Sequence, residues 1–392
     1  MTTGIKYFAF GSATGYALAA LGYIRALHNA NVPVWPFFLG PRDGQAPSLG
    51  RALADDPSFV DLPELMRATA RPIAYDTVVA HLIPDSWKRL TEQGKRLVGY
   101  TVWETDALPE HWPEILNTAD RILVPCRFNA ELFVRNGVTR PVYVVPHIRR
   151  SFRSELTHED SVALRKRLGI PADHFVFYTI AVWDPRKALA ELIEVFVREF
   201  GSEDGVTLLV KTSTAVDATA MDAEAGTSIQ ERVARIVEDA GRETQRKPAG
   251  VVVIAADDIS GAEINAIHAA GDAYVSLTHG EGWGLGAFDA ATLGKPVIIT
   301  GWGGQLDYLG NDYPGLVRYE MKPVTGWHPR ARYRLTQRWA TADRLHAREL
   351  LRRVANRDNA FAEPAASVRK AINERYTEPV VARQLIEAIG AP

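Results

Sequence analysis

Short apolar runs alternate with longer amphipathic stretches along most of the chain, which is the punctuation of an α/β protein. The runs IKYFAFG, VPVWPFFL, YDTVVAHLI, KRLVGYTVWE, ADRILVPC and PVYVVPHI read as strands, and YALAALGYIRALHNA reads as a helix after the first of them. The pattern starts again at HFVFYTIAV and continues through VTLLVKTS, GVVVIAADD, DAYVSLT and KPVIITG, with helices predicted over LAELIEVFVREF and SIQERVARIVEDAGRE. Two successive α/β units are expected. The mixed-charge stretch Ile148 to Ala172, with SVALRKRLG as a short helix, is the natural connection. It sets the expected boundary near Pro171, with a first unit over 1–170 and a second over 171–372.

In open parallel sheets ligands gather beyond the carboxyl ends of the strands, so the residues just after each apolar run carry the candidate chemistry. In the first unit these include the glycine loop ending at Gly15, and His81, which could bond a sugar hydroxyl or simply satisfy backbone. In the second they include Arg186 and Lys187, Lys211, Asp257 and Asp258, and the turn His279-Gly280-Glu281. That turn opens the densest pattern in the chain: Glu281 and Asp289 stand eight residues apart around Gly282, Trp283, Gly284 and Leu285. The glycines let a ligand approach backbone N–H groups at the positive end of a predicted helix, which stops at Gly294. Glu281 could hold sugar hydroxyls and Asp289 a ribose, because ionised carboxylates only accept. Arg186 and Lys187 could neutralise a departing diphosphate, although an ordinary basic pair at a helix start competes with that explanation. Lys211 is balanced between phosphate contact and a side chain snorkelling to solvent. Asp257 and Asp258 could accept from a nucleobase edge, weakly favouring guanine, or cap a helix. Two sheets facing one another across a cleft would bring both sets together in a two-substrate transferase arrangement.

Composition narrows the partners. At 392 residues the chain exceeds one ordinary core, and its 46% hydrophobic and 23% charged residues are those of a globular protein. A formal net charge of −2 gives no general drive toward nucleic acid. Cys126 is the only cysteine, so no intramolecular disulfide can form, which fits a reducing cytosol. No apolar run reaches membrane-spanning length and the N-terminus reads as a strand, so the expectation is a soluble cytoplasmic protein. The basic clusters Arg149, Arg150, Arg153, Arg165, Lys166, Arg167 and Arg330, Arg332, Arg334, Arg338 could meet anionic lipid at the inner face of the membrane or a phosphorylated acceptor, with solvated surface as the simpler alternative. The chain has no GxxxxGK[ST], HExxH or GxSxG motif, and no metal site is evident.

With these residues placed, the chain resembles retaining glycosyltransferases of the GT-B fold, specifically glycosyltransferase family 4. EGWGLGAFDAATLGKPVI is similar to that family's EGFGLPxLEAMAxGxPVI, with Glu281 on the first acid of its E-x7-E motif and Asp289, one methylene shorter, on the second. DPRK at Asp184 to Lys187 looks like the family's basic diphosphate-binding segment, but the arginine of its preceding GR pair is absent, and Arg186 or Lys211 would substitute. VVPHIRRSF and GWGGQLDYL, with Asp307 on an acid position, are similar to further family segments, and Gly11 to Gly15 occupy the place of its first glycine loop. The resemblance implies two Rossmann-like domains, acceptor-side and donor-side, with a final helix at about 373–390 crossing back to the first. It implies transfer of a hexose from a GDP- or UDP-linked sugar to a glycan or lipid-linked acceptor hydroxyl, with retained configuration and without bound metal or other cofactor. Glu281, Lys187, Arg186 and His81 would be the catalytic set, and Gly15, Lys211, Asp258, Gly282, Trp283, Gly284, Leu285 and Asp289 the donor-binding set. Two alternatives are a sugar-nucleotide epimerase or phosphorolytic enzyme on the same architecture, and a non-catalytic nucleotide-sugar binding protein.

Overall fold

The computed structural model describes residues 4–11, 14–40, 53, 56, 59–152, 158–216, 220–221, 227–257, 259–327 and 332–390. The chain divides into two compact units, Met1–Ser151 with Ile372–Pro392, and Phe152–Ala371.

The first unit is built on six strands, β1 (Gly4–Phe10), β2 (Val34–Leu39), β3 (Tyr75–His81), β4 (Arg96–Tyr100), β5 (Arg121–Val124) and β6 (Val142–Val144). Their order is β2-β1-β3-β4-β5-β6 and every pairing is parallel. Parallel strands are covered on both faces, which is why β1 and β3 are near-continuous apolar runs rather than alternating ones. Pro36 lacks an N–H and is tolerated because β2 is an edge strand. Helix α1 (Gly15–Asn29) follows β1, and Tyr23, Ile24 and Leu27 enter a core shared with Ile5, Tyr7, Val79 and Val98.

The second unit repeats the plan with β7 (Phe175–Ile180), β8 (Val206–Thr212), β9 (Gly250–Ala255), β10 (Ala273–Ser276), β11 (Val297–Thr300) and β12 (Leu316–Val317), ordered β12-β11-β10-β7-β8-β9. All its pairings are parallel. Helix α3 (Leu189–Glu199) packs Leu189, Leu192, Ile193, Phe196 and Val197 into the core at helical spacing, against Phe177, Leu208 and Val210. Fully burying a side chain of this size contributes about 1.5–3 kcal/mol. A hairpin of β13 (Tyr319–Pro323) and β14 (Arg338–Ala342) adds an antiparallel pair that the hydrophobic pattern does not announce.

The division between units falls at Ser151/Phe152, upstream of the Pro171 boundary expected from sequence. The stretch between them carries α2 (His158–Arg167), which is fastened to the second unit. Arg165 donates to Ala270 O at 2.9 and 2.7 Å, to His174 O at 3.0 Å and to Asp272 Oδ2 at 2.8 Å, so the charges that read as a linker anchor a helix. At the other end, Ile372–Pro392 returns to the first unit. Val381, Leu385, Ala388 and Ile389 of the last helix (Glu378–Ile389) enter that unit's core, and Glu378 accepts from Arg25 Nε at 2.7 Å. Among the described residues no helix is long and apolar enough to cross a membrane.

Candidate active site

The strand order of the second unit changes direction at β7. Strands β8 and β9 lie on one side of it and β10 to β12 on the other. Loops leaving the carboxyl ends of β7 and β10 therefore diverge and leave a crevice, the recurrent ligand position of open α/β sheets. The loop after β7 carries Arg186 and Lys187, and the loop after β10 carries Glu281.

Local structure sets both loops. Pro185–Lys187 forms a 3₁₀ turn, and Asp184 caps it by accepting from Lys187 N at 2.9 Å through Oδ1. Ala188 then adopts a left-handed conformation, φ 49°, which redirects the chain into α3. Across from this turn, Thr278 and His279 are bonded to Arg186, whose carbonyl accepts from His279 N at 2.7 Å and from Thr278 Oγ1 at 3.2 Å. Arg186 reciprocates, donating to Gly280 O at 2.7 Å. Gly284, at φ 83°, opens α4 (Leu285–Thr292) and offers no side-chain cap, so among the described residues the first N–H groups of that helix have no capping side chain. A third segment, Gly301–Gly304, closes over the acid turn, and Gly304 N donates to Glu281 O at 2.8 Å. Gly303 has φ 119° there, and a Cβ on it would stand 2.8 Å from Glu281 O, so only glycine fits without displacement.

These turns bring Glu281, Lys187 and Arg186 together. Lys187 Nζ donates to Glu281 Oε1 at 2.6 Å, and Arg186 approaches Oε2 at 3.4 Å. Glu281 is 8% exposed. Burial pushes its pKa upward, but the charges of Lys187 and Arg186, with hydrogen bonds from Lys187 and Thr278, outweigh that and hold it below the ordinary carboxylate value. The result is an ionised acid held between two cations beside an uncapped helix N-terminus.

The other sequence candidates are distributed more widely. Gly282 and Trp283 are buried, and the Trp283 ring packs against Phe288 and Tyr308 at 5.1 and 5.2 Å. Leu285 is the half-buried first residue of α4. Asp289 lies on the inner side of that helix, 5% exposed, with His268 Nε2 3.8 Å from its Oδ2 and His268 Nδ1 bonded to Tyr178 OH at 2.8 Å. Among the described residues no hydrogen bond or ion pair joins Lys211 to Glu281. Burial lowers the Lys211 pKa, and the nearby Asp257 charge opposes that. Asp257 itself accepts from Thr214 N at 3.0 Å and from the Thr214 hydroxyl, while Ser260, rather than Asp257, caps the next helix by accepting from Glu263 N at 3.2 Å. Asp258 lies outside the described residues.

Gly15 and His81 belong to the first unit, where β1 and β3 flank that sheet's own switch point. Gly15 is exposed at the start of α1. His81 is 1% exposed, with Nδ1 bonded to Tyr7 OH at 2.8 Å and its ring 4.0 Å from that of Tyr100. Burial, with the charge of His147, holds its pKa well below the usual histidine value, so the ring is neutral. Sequence reasoning left two participants without a role: Asp184, whose Asp-Pro dipeptide was the available sign of a cap, and His279, whose partners lie on the unannounced hairpin.

No protein-family model matches the sequence, and no curated protein matches it. Solved structures do. The chain is similar to sucrose-phosphate synthase from Thermosynechococcus elongatus, with a TM-score of 0.64 at 16% identity over 98% of both chains. It is similar to HepE from Anabaena, solved with UDP and glucose, with a TM-score of 0.57 at 17% identity over 100% of both. The fold is GT-B. A further match, to S. aureus TarM solved with fondaparinux, α-GlcNAc-glycerol and UDP, has a TM-score of 0.55 at 12% identity and covers 80% of this chain. The chain spans only 55% of TarM's length.

Proposed function

We propose that the chain is a glycosyltransferase that moves a hexose from a nucleoside-diphosphate sugar to an acceptor hydroxyl with retention of configuration. The observation that carries this reading is the Glu281–Lys187–Arg186 cluster at the switch point of the second sheet, next to the uncapped start of α4. In the reaction the bond from the anomeric carbon to the diphosphate breaks, a bond to the acceptor oxygen forms on the same face, and the acceptor's proton passes to an oxygen of the departing diphosphate. Negative charge grows on the departing diphosphate. Lys187 and Arg186 are the cations placed to meet it, and the N–H groups of Leu285 to Ala287 offer preorganised donors to phosphate. The side-chain cations thereby do the neutralising work without a metal. Glu281 keeps both in place before the donor arrives and accepts from sugar hydroxyls afterwards. Asp289 is the candidate ribose acceptor, with Lys211 and Asp257 on the base side.

UDP in the HepE and TarM structures supports a UDP-linked donor ahead of the GDP-linked alternative. The acceptor would be a glycan or lipid-linked glycan, and the place of work the cytoplasm or the inner membrane face. The test is a thermal-shift screen of nucleoside diphosphates and their sugars. A cognate nucleotide at 100 times its Kd stabilises by about 2.7 kcal/mol, equivalent to roughly 5–10 °C for a unit of this size. The cognate nucleotide sugar should then support transfer in wild type and none in Glu281→Ala, whose unliganded fold is retained. Near-normal turnover by that variant refutes the assignment.

A further inference from the structure

His279 joins three segments that sequence separates. Its amide donates to Arg186 O at 2.7 Å, which ties it to the basic turn. Its carbonyl accepts from Ala340 N at 3.0 Å, and its ring Nδ1 lies 2.7 Å from Ala340 O, both on β14. A carbonyl can only accept, so Nδ1 carries the proton and the side chain adds a second, backbone-like bond to the strand. The imidazole is also stacked on Trp339, with centroids 4.3 Å apart and planes at 15°. His279 and Trp339 are both buried. The hairpin meets the basic turn as well: Gly326, at φ 81°, comes so close to Pro185 that a Cβ would stand 3.0 Å from the proline's own. One hairpin thus braces Pro185, at the head of the Arg186–Lys187 turn, and His279, two residues before Glu281.

We infer that His279 is a positioning residue, whose ring bond to Ala340 and stack on Trp339 clamp the Glu281 turn to the β13–β14 hairpin and so fix the acid against Lys187. The inference rests on reading that cluster as the donor centre. The acid turn has no helix or strand of its own, and its bonds to the basic turn converge on Arg186 and Lys187. Losing the ring leaves the backbone bond from Ala340 N to His279 O to hold the turn to β14, and the acid turn gains freedom where the Lys187–Glu281 geometry is set. Misplacement of about 1 Å at such a centre costs on the order of 100-fold in rate while leaving ground-state binding largely intact.

The test uses the full chain and three substitutions. The amide nitrogen of His279→Asn can occupy the Nδ1 position and still donate to Ala340 O. His279→Gln carries its amide one carbon further, where Nε2 stood, and His279→Ala carries none. With the cognate nucleotide sugar, kcat should fall about 10-fold or more in the Ala and Gln variants with KM within about 3-fold of wild type, and the Asn variant should recover most of kcat. If the Ala variant does not fold, the comparison of Asn with Gln decides. Equal losses in Asn and Gln, or wild-type turnover in both, overturn the inference. If wild type transfers no sugar at all, the functional reading has failed, and hydrogen exchange tests the clamp independently. The amides of Gly304 and Ala340 should then exchange about 10-fold faster in His279→Gln than in His279→Asn. Equal protection of those amides in both variants refutes it.

Discussion

Replacing Lys187 with methionine keeps most of the stem and removes the ammonium that lies 2.6 Å from Glu281 Oε1. At about 4 Å between charge centres and an effective dielectric near 20, the pair attracts by about 4 kcal/mol. The two side chains retain 17% and 11% of their exposure, and Arg186 remains 3.4 Å from the other oxygen, so residual water and the second cation reduce the net coupling to about 2–3 kcal/mol. Lys187→Met should therefore cost about 2–3 kcal/mol and Glu281→Gln about 3, because each leaves a buried charge short of its partner. The double variant should cost about 3 rather than the sum of about 5–6. Two units need not unfold together, so the assay is native-state hydrogen exchange in rising urea, read from amides of β7, β10 and α4. All three variants should lose nucleoside-diphosphate binding, so a sub-additive loss of stability alongside a full loss of binding separates structural from ligand-directed roles. A coupling below about 0.5 kcal/mol would refute the argument that the pair is an energetic unit.

Further outcomes follow from the same geometry. The Glu281 pKa is depressed in the fold, so its contribution is complete above the ordinary value of 4.5 and is lost as pH falls through the lower folded one. Acid denaturation of the second unit should show this increment in wild type and lack it in Glu281→Gln. The His81 pKa is also depressed, so the first unit gains from its neutral ring above pH 6.5 and loses that contribution progressively below it. Exchange of β1 and β3 amides between pH 7.5 and 5 measures the loss, and pH-independent protection would contradict it. Gly303→Ala meets Glu281 O at 2.8 Å from an unfavourable φ and should destabilise the second unit by about 1–3 kcal/mol, lowering donor affinity with it. Thermal melts with and without nucleotide detect both effects.

Much of this architecture is legible because a parallel sheet writes its strands as apolar runs, and the spacing of β7 to β11 follows those runs closely. The acid turn is legible because glycine, an acid and a strand end coincide. His81 shows where legibility stops: β3 is covered on both faces, so alternation carries no information about whether a ring at its end points inward. The hairpin is hidden for the opposite reason. Four of the five β13 residues are exposed or charged, and its pairing depends on backbone bonds to β14 rather than on burial. Asp289 reads from sequence as a shortened ligand, yet its surroundings, His268 and Tyr178, come from strands and helices far away in the chain. The boundary was displaced because Arg165 spends its charge on interior carbonyls, which a composition count registers only as polarity.

The return of the last helix to the first unit has a consequence for synthesis on the ribosome. Domains usually fold in the order in which they emerge. Here the second unit is complete by Ala371, whereas the first still lacks Val381, Leu385, Ala388 and Ile389, which share its core with Tyr23, Ile24 and Leu123. The unit made first is thus the unit finished last. Until those residues arrive, its apolar wall stands open, and a nascent chain stalled before them is the form most exposed to aggregation and chaperone capture.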